Sequence, residues 1–180
     1  MKKMKKLSDN QILKQGSKYN IPAKDAYVLD SGYVNFIFSL DSVRYQKESH
    51  NHFQPLQALY YDQTGHLKSF HINCNAGGFP NLKWNRFGAF DEFIPKQQTP
   101  PDSILPLKKH LEYVIPLNSN SSPNFDAYDY VVIVHWNKFM GRQSKRLIKV
   151  VQNNAALNKN KSLKIIYVNN DNIFAHTDFF

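Results

Sequence analysis

The sequence predicts an α/β protein with a mixed sheet covered by helices on both faces, and two stretches carry most of that expectation. Residues 130–136, Tyr-Val-Val-Ile-Val-His-Trp, are a run rich in β-branched residues, as expected of a strand buried on both faces of a parallel sheet. They lead straight into a helical pattern in which Met140, Leu147, Ile148 and Val151 share one face. Arg142, Lys145, Arg146 and Lys149 form a basic stripe on the other. An Asn/Lys loop at 153–161 follows, and then a second buried strand at 163–168. Strand, helix and strand should make a right-handed parallel crossover. The second stretch is a hairpin, with a strand at 55–61, a turn at 62–65 and a returning strand at 67–73. It can extend the same sheet antiparallel.

Taken in order, Ser8 caps a short helix that holds Ile12 and Leu13 and ends near Gly16. Pro22 breaks the chain, and Tyr27-Val28-Leu29 is too short to assign. Asp30 or Ser31 caps a second helix with Tyr33, Phe36, Ile37 and Leu40 on one face. The polar segment 46–52 reads as a loop. After the hairpin, the glycines and proline of 75–80 force a change of direction. Residues 81–101 read as an irregular loop pinned to the core by its rings, among them Trp84, Phe87, Phe90 and Phe93. Asp102 or Ser103 caps a helix carrying Ile104, Leu107, Leu111 and Val114, with Pro106 in its first turn. A polar linker at 118–124 leads to the central strand. Residues 1–30 read as a basic, helical N-terminal extension, 31–180 as one domain, and 78–101 as an aromatic insertion within it.

The 180 residues are 42% hydrophobic and 14% aromatic, enough for a full core, which excludes global disorder. A formal net charge of +9 attracts phosphate and anionic surfaces in general. The single cysteine, Cys74, excludes intrachain disulfides, paired-cysteine redox centres and multi-cysteine zinc sites. No apolar run approaches the roughly 20 residues of a membrane span. The start, Met-Lys-Lys-Met-Lys-Lys, resembles the charged head of an export signal without its apolar segment. Two compartments fit this: the cytoplasm, or the cell envelope for a mature form whose signal has been removed.

Residues 136–145, Trp-Asn-Lys-Phe-Met-Gly-Arg-Gln-Ser-Lys, resemble the active-site loop of the thioredoxin family, Trp-x-x-Trp-Cys-Gly-Pro-Cys-Lys. Trp136, Phe139 and Gly141 stand at matching positions. Met140 and Gln143 replace the two cysteines, and Arg142 replaces the proline. Residues 165–171, Ile-Ile-Tyr-Val-Asn-Asn-Asp, are similar to the family's next strand. The family's later elements, which would follow Asp171, lie instead on the N-terminal side: helix 31–42, a cis-proline entry at Pro55, the hairpin 56–73 and a closing helix 102–114. The resemblance implies a circularly permuted thioredoxin-like α/β/α domain, with Pro55 cis and beside the turn at 140–143. It also implies a binding surface made by Trp136, Phe139, Met140, Gly141, Arg142, Gln143, Lys145 and Pro55.

Thiol–disulfide exchange needs a thiolate, which Met140 and Gln143 cannot supply. What remains is a non-redox binding or scaffold module for a protein or peptide, at a helix start flanked by Arg142 and Lys145. The bland reading of the same stretch is a vestigial loop below a solvated helix face. One alternative is a thiol enzyme using Cys74, which would need a cationic neighbour or a helix start to lower the thiol pKa. Another is a nucleic-acid binder in which 83–87, Lys-Trp-Asn-Arg-Phe, stacks bases of a single strand. His50 and His52 with His66, His71 and Cys74 offer nitrogen and sulfur ligands, but their spacing fits no familiar zinc site. No metal and no cofactor is therefore expected. His135 faces away from Trp136 along the strand and reads as a satisfied core histidine.

Overall fold

A computed structural model describes residues 5–73, 83–118 and 124–176. Its strands are β1 (Ala26–Leu29), β2 (Gln57–Asp62), β3 (Leu67–Ile72), β4 (Val114–Pro116), β5 (Tyr130–Trp136) and β6 (Leu163–Asn169). Its helices are α1 (Asp9–Ser17), α2 (Gly32–Ser39), α3 (Gln46–His52), α4 (Leu107–Leu111), α5 (Gly141–Ala155) and α6 (Asp171–His176). The strands form one mixed sheet in the order β3-β2-β5-β6-β1-β4. β5, β6 and β1 run parallel, whereas β2 lies antiparallel to β5 and β4 antiparallel to β1.

β5 occupies the middle because nearly every side chain it carries wants burial. Val132, Val134 and Trp136 enter one core with Ile12 of α1 and with Leu147, Ile148 and Val151 of α5. Val131 and Ile133 enter the other, with Tyr33 and Ile37 of α2, Leu107 of α4, Ile173 of α6, and Leu105. Alternate residues of a strand point to opposite faces, so one short segment supports both layers. The crossover β5–α5–β6 and the antiparallel hairpin both take the places that the hydrophobic pattern predicts. At the hairpin tip, the Asp62 carboxylate accepts from Thr64 N at 2.9 Å and His66 N at 3.1 Å. Gly65 takes φ +79°, a conformation that side chains disfavour.

Several expectations need correction. The segment 27–29 is a full member of the sheet, hydrogen-bonded between β6 and β4. Leu7 N donates to Asn172 Oδ1 at 2.7 Å and Leu7 O accepts from Asn172 Nδ2 at 2.9 Å, and Ile12 is buried. Leu7, α1 and β1 thus pack into the same fold as the residues after 30. Residues 46–52 form α3 instead of a loop. The helix expected at 102–114 shrinks to Leu107–Leu111, with Pro106 extended before it and Val114 in β4. The Gln54–Pro55 peptide bond is trans, not cis. Of the rings between 81 and 101, Trp84 and Phe90 are buried as expected, but Phe87 is 89% exposed.

Candidate functional site

The carboxyl ends of the parallel strands, where α/β proteins commonly hold ligands, carry a cluster of amides. Asn137, directly after β5, is 0% exposed. Its Nδ2 donates to Pro55 O at 3.1 Å and to Asn170 Oδ1 at 3.1 Å, and its Oδ1 accepts from Met140 N at 2.9 Å. Asn170, directly after β6, donates to the same Pro55 carbonyl at 2.8 Å. The Ser144 hydroxyl donates to Asn137 O at 2.6 Å and accepts from Asn137 N at 3.2 Å. Asp171 accepts from Lys138 N at 2.7 Å and from Asn169 Nδ2 at 2.8 Å. Burial raises the Asp171 pKa, while those donors and the backbone of Phe139 oppose the shift. The turn between β5 and α5 is therefore fixed by buried polar contacts to two other segments.

Above this clamp, the residues proposed from sequence separate into two groups. Trp136 is buried and meets Tyr19 edge-on, with ring centres 5.6 Å apart. Its role is packing. Met140 is half-buried against the core and precedes α5, and Gly141 lies so close to the Tyr19 hydroxyl that a Cβ would stand 2.8 Å from it. Gln143 is half-buried and faces inward with its Oε1. Phe139, Arg142 and Lys145 are exposed, together with Lys138. Phe139, 38% exposed, packs at 5.8 Å on Phe174, which in turn contacts Phe53 at 5.5 Å. Pro55 contributes its carbonyl to the clamp.

Below the clamp, one face of the sheet holds a polar chain that sequence reasoning missed. Tyr61 Oη lies 3.1 Å from Leu105 O and 3.0 Å from His110 Nδ1. His110 Nε2 lies 2.9 Å from His135 Nε2, so one ring donates and the other accepts. Tyr33 stacks on His110 and donates to His52 O at 2.7 Å. His52 Nε2 reaches the Asp102 carboxylate at 2.9 Å. Burial holds the His110 pKa well below its ordinary value and that of His135 down to about 3. His135 is a core histidine, as its strand position predicts. The pairings of His110 and Asp102 carried no signal, because their partners lie 25 and 50 residues away, and Asp102, expected to cap a helix, instead holds His52.

The histidines considered as ligands do not converge. His52 packs on Phe70 on one side of the sheet, His71 on Phe90 on the other, and His66 bonds Thr64 in the hairpin turn. Among the described residues, no group of three or more His, Cys, Asp or Glu could hold a metal ion. Cys74 lies outside the described residues. Among them, no helix is long and apolar enough to cross a membrane. No protein-family model matches the chain, and no curated protein or solved structure is significantly similar to it.

Proposed function

We propose that the chain is a non-redox, thioredoxin-like binding module that holds a protein or peptide segment at the turn between β5 and α5. The observation that carries this reading is Phe139, a ring 38% exposed beside the cations Lys138, Arg142 and Lys145, on a turn locked from beneath by Asn137. An exposed aromatic on a rigid support contributes contact area without an ordering cost, as binding hot spots do. The surrounding cations favour a segment that pairs an apolar side chain with carboxylates. Two features support the thioredoxin-like part of the reading. The hairpin lies antiparallel beside the strand that carries the loop, and Pro55 meets that loop from 82 residues away. The trans bond at Pro55 departs from the family pattern.

Selection from a displayed random-peptide library tests the reading. Enrichment of acidic-apolar peptides that lose binding to Phe139→Ala and Arg142→Glu is the expected result. No enrichment on the native protein, or peptides indifferent to both variants, would overturn it.

A further inference from the structure

A second surface lies where the aromatic loop crosses α5. Phe87 is 89% exposed and takes φ +58°, ψ 28°, the left-handed region that bulky side chains avoid. The loop around it is firmly held. Asn85 Oδ1 accepts from Phe90 N at 2.8 Å and Asn85 Nδ2 donates to Asp91 Oδ1 at 2.8 Å. Asn154 of α5 donates to Phe90 O at 2.9 Å and to Glu92 O at 2.8 Å. A strained ring presented to solvent by a well-anchored loop is the kind of outlier that marks a functional site. Arg86 lies over the Phe87 ring at 5.0 Å. The same loop, through Lys83, Trp84 and Asn85, lines an open groove of about 470 Å³ with Arg146 and Val150 of α5. Its α5 wall belongs to a helix that carries Arg142, Lys145, Arg146 and Lys149 and no carboxylate. Of the two acids on this part of the loop, Asp91 is engaged by Asn85, and Glu92 is exposed.

We infer that this groove and Phe87 bind single-stranded nucleic acid, with a base stacked on the Phe87 ring and phosphates on Lys83, Arg86, Arg146 and Lys149. The combination of an exposed ring with a one-sign wall selects this occupant. A base offers a flat face for stacking, and its backbone supplies anions at regular intervals. The buried Trp84 serves the fold, so the platform is one ring wide. The site is independent of the peptide surface at Phe139, and each stands without the other.

Fluorescence anisotropy with labelled oligothymidylate and oligouridylate tests it, the two strands separating a DNA from an RNA preference. The expected result is binding at low salt that falls steeply as salt rises. Phe87→Ala should lose about tenfold in affinity, as removal of a stacking ring does. Arg146→Glu should flatten the salt dependence, and thermal melts should report both variants folded. Unchanged affinity in Phe87→Ala, equal affinity for a duplex of the same length, or no binding at low salt would each overturn the inference. Equal competition by polyglutamate would do the same and point to an acidic polypeptide.

Discussion

Asn137 shows how one residue can fix a turn from beneath. Its amide closes contacts to Pro55, Asn170 and Met140, drawn from three separate parts of the chain. Replacing it by Ala leaves buried polar atoms without partners, each costing about 1–3 kcal/mol. We expect Asn137→Ala to destabilise by about 3 kcal/mol, read from urea unfolding. Phe87 is the opposite case, an exposed ring on a strained backbone. Glycine accepts its left-handed backbone freely, so Phe87→Gly should gain about 1 kcal/mol while removing the ring. A loss of stability in that variant would mean that the ring supports the fold. The reach of Asn137 was not legible beforehand, because an amide after a strand looks the same whether or not it meets a distant carbonyl. The exposed Phe139 and cations were legible, since they adjoin a strongly patterned strand and helix.

At the scale of elements, β5 and α5 follow directly from hydrophobic pattern, and α5 offers a contrast within one helix. Leu147→Ala should cost about 3 kcal/mol through the cavity it leaves in the core. Lys149→Ala on the solvent side should change stability by less than about 0.5 kcal/mol. Thermal or urea unfolding of the pair measures the difference. Elements without periodicity escaped. α3, Gln-Lys-Glu-Ser-His-Asn-His, has no apolar residue, and the bond from its buried His52 to Asp102 ties it to the fold. β1 and β4 are four and three residues long, too short for pattern, and only their pairing defines them. The closing helix was over-extended because Val114 matches helical spacing as well as it matches an edge strand.

For the molecule as a whole, the buried histidines set an acid limit. His71 and His135 are held to about 3 and His110 lies well below its usual 6.5, burial being the main cause in each. The fold keeps these rings neutral. Above about pH 6.5 the unfolded chain is neutral there too, and stability is undiminished. Below it, the unfolded chain binds protons that the fold refuses. Each histidine then costs about 1.4 kcal/mol per pH unit. Against a typical stability of about 5–15 kcal/mol, three such groups should bring cooperative acid unfolding near pH 4–5. Circular dichroism across pH checks this, and a fold unchanged at about pH 3 would contradict the burial of these rings.

The central claim is that the β5–α5 turn is a preorganised surface for a peptide. Its most direct test is amide chemical-shift mapping of the ¹⁵N-labelled protein titrated with a peptide selected on it. Perturbations centred on 138–145 and 53–55, and lost in Phe139→Ala, are the result the structure predicts. Perturbations confined to other parts of the molecule, or a response unchanged in Phe139→Ala, would contradict it.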